Sequence, residues 1–175
     1  MNLIHSPNGA FAPASVKADD SNCFDLETLS PELRKMMEVS FSAGVVDGEG
    51  CIVISKTRLR GRKHPTYRLV LSISQNSRAL LVRVARALDV PLRIYPVKRT
   101  LTMNRDAEVL TICDRHAHRA LIKLLPHLTR KGPEAAVAID GYERGQFRVH
   151  PGAKGHPPEI WQIREWCYKK LQRMK

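Results

Sequence analysis

The nine residues from Ser42 to Gly50 constrain this chain more than any other stretch. They read Ser42, Ala43, Gly44, Val45, Val46, Asp47, Gly48, Glu49, Gly50. They close a segment with a helical signature. Ser30 can cap free backbone N–H groups, and Pro31 suits the first helical position because it needs no donor there. Leu33, Met36, Met37, Val39, Phe41, Val45 and Val46 supply apolar residues along the helix. The helix is expected to stop at Gly48 or Gly50, since glycine tolerates the backbone angles that end a helix. Ala43 and Gly44 have almost no side chain, so another helix backbone can approach closely. Asp47 and Glu49 fall where the chain leaves the helix.

Downstream the period changes from helix to strand. Cys51 to Thr57 is a short β-rich run, and residues 58–65 (RLRGRKHP) form a basic turn around Gly61. From Thr66 to Gln75 the chain alternates. Tyr67, Leu69, Leu71 and Ile73 point one way; Thr66, Arg68, Val70, Ser72 and Ser74 point the other. This is a hairpin with one covered and one polar face. Asn76 or Ser77 caps a second helix striped with Leu80, Leu81, Val84, Ala85 and Leu88. Leu92 to Lys98 and Val109 to Cys113 read as a second hairpin, whose faces the pattern leaves open. Helices follow over about 114–128 and 133–143, then a Pro/Gly loop (145–158). Ile160, Ile163, Trp166, Cys167 and Leu171 mark a last amphipathic helix.

The reading is an α+β domain: helix–strand–strand, twice, then helices, giving one antiparallel sheet covered on one face and open on the other. Residues 1–29 read as a loose leader, 30–145 as the main domain, and 146–175 as a loop and C-terminal helix.

Charge points to the partner. Lys and Arg number 29 against 17 Asp and Glu, for a net charge of +12. Residues 1–50 carry 3 basic and 8 acidic groups, residues 51–131 carry 18 and 4, and residues 132–175 carry 8 and 5. The excess lies in the folded middle, so a folded surface should meet a polyanion. No apolar run approaches the roughly 20 residues of a membrane span, and the N-terminus lacks the order of a signal peptide. The four cysteines, Cys23, Cys51, Cys113 and Cys167, form no C-x-x-C pair and read as reduced thiols. Cys113, His116 and His118 lack a second ligand pair for zinc. The expected location is cytoplasm or nucleoid, or an organelle matrix for an organelle-encoded chain, and not the secretory route.

From its second residue onward, S-A-G-V-V-D-G-E-G resembles the LAGLIDADG motif of homing endonucleases. So do the strand–basic loop–strand ending at Gln75, the capped helix after it, and Leu125-Pro126…Lys131 between two later helices. The resemblance covers roughly residues 32–145. Ser42 departs from it, standing where the family prefers an apolar residue. The resemblance implies the αββαββα fold with a saddle-shaped antiparallel sheet. It also implies a site-specific, metal-dependent endonuclease that cuts both strands of a long pseudo-palindromic DNA site, encoded within an intron or similar mobile element. One copy of the motif implies a homodimer whose seam includes Ala43, Gly44, Val46 and Asp47.

The same resemblance makes Glu49 the metal-binding acid and gives Gly48 a backbone-carbonyl role. Mg²⁺ or another divalent cation suits such hard oxygen donors. Glutamate in place of the family's aspartate keeps the ligand type on a longer arm. Asp47 reads either as a second catalytic acid or as an acceptor for local backbone. Gln75 matches the residue that orients water, and Lys131 the lysine that stabilises the transition state. Arg78 is the nearest match to a further basic residue, one position out of register. DNA readout is expected from Arg58, Arg60, Arg62, Lys63, Arg68, Arg93, Lys98 and Arg99. Those in loops would meet phosphates and those on strands bases. His116, His118 and His127 read as residues of ordinary helix faces, and Trp161 and Trp166 as packing anchors. A non-cleaving binder of the same fold, an RNA maturase or a DNA-binding regulator, is the alternative; retained Glu49, Gln75 and Lys131 favour cleavage.

Overall fold

The computed structural model describes residues 29–61, 64–97, 106–147, 149 and 155–175. Helix α1 (Pro31–Glu49) starts as its sequence dictates, with the Ser30 side chain accepting from the Leu33 N–H. Strands β1 (Gly50–Thr57) and β2 (Thr66–Gln75) form the first hairpin, and α2 (Arg78–Leu88) follows behind its Ser77 cap. Strands β3 (Ile94–Pro96) and β4 (Glu108–Cys113) form the second hairpin. Helices α3 (Asp114–Leu124), α4 (Gly132–Arg144) and α5 (Pro158–Arg173) complete the chain.

The element order is the expected one, and the boundaries differ where backbone chemistry intervenes. Helix α3 stops at Leu124 and tightens into a 3₁₀ turn, Leu125–His127. Pro126 cannot donate the N–H that would continue the α-helix. Strand β3 has three residues and ends at Pro96, so it is much shorter than the expected Leu92–Lys98 run. Gly50 does end α1, but with extended angles (φ −77, ψ 152) that any residue can adopt. Its glycine is required by space. A Cβ there would lie 2.6 Å from the Val46 carbonyl oxygen and 2.8 Å from the Val46 Cγ1.

The sheet is antiparallel with strand order β1-β2-β4-β3. Its covered face is a continuous apolar layer: Ile52 and Ile54 oppose Leu71 and Leu69, and Leu71 and Ile73 in turn oppose Ile112 and Leu110. All seven are buried against the helices. The alternation read for β2 holds residue by residue, with Tyr67, Leu69, Leu71 and Ile73 buried and Arg68 and Ser74 exposed. Register also settles the second hairpin. Thr111 opposes Ser72 and Val109 opposes Ser74 on the open face. Helix α5 belongs to the same core, where Cys167 and Leu171 are buried. Among the described residues no helix is long and apolar enough to cross a membrane.

Candidate active site

Helix α1 divides its motif between two faces. Val39, Ser42, Ala43 and Val46 turn inward. Leu33, Met36, Met37, Phe41, Gly44 and Gly48 turn outward. This corrects the expected dimer seam. Ala43 and Val46 are 0% exposed inside the chain's own core and have no surface to offer a second chain. Neighbouring helical residues point about 100° apart, so Ala43 and Gly44 cannot share one contact face. Gly44 and Gly48, four residues apart, do share one, and a Cβ on either would meet nothing within 4 Å. Ser42 also lies inside, where its hydroxyl donates to the Glu38 carbonyl at 2.8 Å. Its polarity therefore falls on the core side and not on the outer face.

The tip of α1 is gripped by the segment between the 3₁₀ turn and α4. The Asp47 carboxylate accepts from the backbone N–H of Thr129 (2.7 Å) and of Lys131 (2.8 Å). The Arg130 guanidinium donates to the Asp47 carbonyl. The Lys131 ammonium donates to the carbonyl of Val46 at 2.8 Å and to that of Gly50. Cations thus sit on backbone carbonyls at a helix C-terminus, where the peptide dipoles favour positive charge. The two readings open for Asp47 now separate: its carboxylate serves the backbone of its own chain. Asp47 is not among the residues that line the cavity at this helix end. Burial pulls its pKa upward most strongly of any single influence, yet the backbone donors of residues 129–131 together outweigh it and hold the carboxyl below its usual value. Lys131 is 8% exposed. Burial first, and the charge of Arg130 second, push its pKa down.

Glu49, the last residue of α1, is exposed beside this latch. It lines a cavity of about 340 Å³ with Gly48, Cys51, Arg130, Lys131 and Glu134. The cavity brings together Glu49, Gly48 and Lys131 of the sequence-derived site. Gln75 is not among its lining residues. It ends β2 half-buried, with its Oε1 accepting from the Asn76 N–H at 3.0 Å. Arg78 is engaged by Glu108 at 2.5 Å. Sequence reasoning missed Arg130 and Glu134, and also Met174 and Lys175, which reach the same cavity from the end of α5. Arg130 carried a weak signal, standing next to Lys131. Glu134 sits in the first turn of a helix, where acids are common for other reasons.

Among the described strand residues of the open face, Arg68 alone is charged, and it pairs with Asp114 at 3.0 Å. Arg58 and Arg60 are exposed where the first hairpin turns, and Arg93 is exposed just before β3. Arg62, Lys63, Lys98 and Arg99 lie outside the described residues. His118 is buried, stacked on Tyr142 and 3.0 Å from Glu143. No group of three or more potential metal-binding side chains occurs among the described residues.

Two hairpins on one open antiparallel sheet, each preceded by a helix, with acids at the tip of the first helix, define the LAGLIDADG homing-endonuclease fold. The comparisons agree on that fold. The chain is similar to the homing endonuclease I-CvuI in complex with DNA (18% identity, TM-score 0.65, covering 82% of this chain and 85% of that one). It is also similar to the archaeal intron-encoded homing endonuclease I-Vdi141I complexed with DNA (14%, 0.59, 79% and 84%) and to the LAGLIDADG meganuclease I-CpaMI bound to uncleaved DNA (13%, 0.53, 78% and 50%). I-CvuI was crystallised with DNA in the presence of Mg and, separately, of Ca. No family model and no curated protein matches the chain.

Proposed function

We propose that this protein is a site-specific, metal-dependent DNA endonuclease that acts as a homodimer and cuts both strands of a long pseudo-palindromic site. The observation that carries the reading is the contrast at the tip of α1: Asp47 is consumed by the latch, while Glu49 stands exposed in a cavity shared with Lys131 and Arg130. A structural helix end has no need of a second, solvent-facing acid beside two cations. The known proteins of this fold named above are endonucleases studied on DNA, which supports the same substrate here.

The donor set fits a hard divalent cation. Mg²⁺ takes one or two carboxylates, keeps several waters and completes its shell with phosphate oxygens, so a dedicated cage of side chains is not required. Glu49 offers the carboxylate and Gly48 a backbone carbonyl. When bound, the ion would lower the pKa of the attacking water and neutralise charge developing on the phosphoryl oxygens. The chain's own residues do the rest. Glu49 fixes the position of the site at the edge of the sheet. Lys131 uses two N–H donors on backbone carbonyls and has a third for a phosphate oxygen. Gln75 would orient water at the strand end. Arg58, Arg60 and Arg93, with Arg62, Lys63, Lys98 and Arg99, would hold the phosphates and position the duplex on the open face. Arg68 would contact base edges after exchanging its partner Asp114.

One Glu49 serves one strand, so double-strand cleavage needs a second chain. The seam consistent with the structure is the outer stripe of α1: Gly44 and Gly48 allow close approach, and Met37 and Phe41 add apolar area. Cleavage selection from a random DNA library with Mg²⁺ tests the function. Intact protein should yield double-strand cuts at one family of sites, and Glu49→Gln should bind those sites uncut. Cutting by both proteins alike would remove Glu49 from the chemistry and favour another site.

A further inference from the structure

A second cleft, of about 600 Å³, lies between the β1–β2 hairpin and α5. It is away from the open sheet face. Its strand residues Lys56 and Tyr67 oppose one another on the covered side of the sheet, the side on which α5 packs. The lining is unusual in its mixture. Lys56, Arg58 and Lys169 supply three cations against one carboxylate, Glu165, and Tyr67, His64, Trp161 and Trp166 supply aromatic rings.

The rings divide into anchors and one free platform. His64 stacks on Trp161 with centroids 4.5 Å apart and planes 11° apart, and the Trp161 Nε1 donates to the His156 carbonyl. The stack fastens the hairpin to α5, and the hydrogen bond holds Trp161 to the segment just before α5. Trp166 is 51% exposed, a large cost in apolar surface for a side chain that could have packed. Glu165 organises the cations: its carboxylate accepts from Lys56 at 2.7 Å and Tyr67 at 2.5 Å and lies 3.6 Å from Lys169. The Lys169 side chain is 63% exposed nonetheless.

We propose that this cleft binds an unpaired nucleic-acid segment, with a base stacked on Trp166 and the adjoining phosphates held by Lys169 and Lys56. A stacking ring beside cations matches a nucleotide and suits single strands of any sequence, because every base has a π-face. A duplex keeps its bases stacked on one another and has no face to give Trp166. The site is independent of Glu49 and would let the protein hold a single strand while the sheet holds a duplex.

The test uses the full chain with fluorescent oligouridylate and oligothymidylate, read by anisotropy with and without saturating unlabelled duplex. Binding of either oligonucleotide that persists under duplex supports the cleft. A preference for oligouridylate identifies RNA as the ligand, a preference for oligothymidylate identifies single-stranded DNA, and equal binding shows a site that takes either single strand. Trp166→Ala should weaken that binding about tenfold, in line with roughly 1–3 kcal/mol per stacked base. Lys169→Glu should weaken it severalfold, and both variants should hold duplex as the parent does. Two variants guard against a folding artefact, since both side chains are exposed and each should keep the parent melting temperature. Oligonucleotides that fail to bind, that are fully displaced by duplex, or that bind both variants like the parent would overturn the proposal. Each of these results would leave the duplex-cleavage reading standing.

Discussion

The two acids at the end of α1 are separated by one glycine, and their surroundings are opposite. Asp47 is enclosed by residues 129–131, which reach back across more than eighty positions of sequence to clasp it. Glu49 faces a cavity and stays exposed. One acid fixes the helix end and the other is left exposed. On the proposed function the motif uses both: a carboxylate is held ready for a cation where the helix end that carries it is fixed, and the neighbouring carboxylate fixes it. The same economy applies to the cations. Arg130 and Lys131 neutralise the negative end of α1 through backbone carbonyls, so the cavity lined by Glu49 is bordered by positive charge that is already locked in place.

Substitutions should separate the two roles. The largest effect on stability is expected from Asp47→Ala, which leaves two N–H donors without their charged acceptor. A loss of about 2–4 kcal/mol follows from the cost of orphaning such groups. Thermal denaturation should register it as a fall of roughly 5–10 °C for a domain of this size. An unchanged melting temperature would mean that the latch is decorative. Gly50→Ala comes next, at about 1–3 kcal/mol, because the new methyl would press on Val46 backbone and side chain together. An equal loss for Gly48→Ala, where space is open, would break that explanation.

Acid should reveal the latch as well. The folded-state pKa of Asp47 is depressed. Its contribution to stability is therefore fully present above the unfolded value of about 3.9 and is lost as pH falls through the lower folded value. Below about pH 4 the parent should lose stability more steeply than Asp47→Asn. Parallel curves would assign the acid transition to other groups. The smallest effects belong to the exposed arginines of the first hairpin. Arg58→Ala or Arg60→Ala should weaken duplex binding a few-fold, evenly across sequences, and flatten the salt dependence by a slope of about one. A change confined to one base position would show that these residues read sequence.

What could be read from sequence follows the range of the interactions involved. The hairpin Gly50–Gln75 was legible because alternation in β2 is a local consequence of strand geometry, and both strands are long enough to show it. The second hairpin was not, since β3 has three residues and its faces are set by register with β4. The motif acids were legible as a pair, but not which of them would be consumed, because residues 129–131 approach from a distant part of the chain. Ala43 and Gly44 look like one small-residue seam in sequence. The helical angle between adjacent positions splits them, and the buried faces on either side of α1 decide which way each points. Trp166 read as an anchor like Trp161, yet only Trp161 has the His64 ring to pack against.

The central claim is that Glu49, and not Asp47, supplies the carboxylate of the reaction, and single-turnover cleavage of a selected duplex by Glu49→Gln and Asp47→Asn at saturating protein and Mg²⁺ tests it most directly. Glu49→Gln should bind the duplex and melt like the parent but cut about 10³-fold more slowly, the scale expected when one transition-state contact is removed, while Asp47→Asn should melt lower and, below its transition, still cut. Parent-like cutting by Glu49→Gln, or abolished cutting with an unchanged melting temperature in Asp47→Asn, would contradict it.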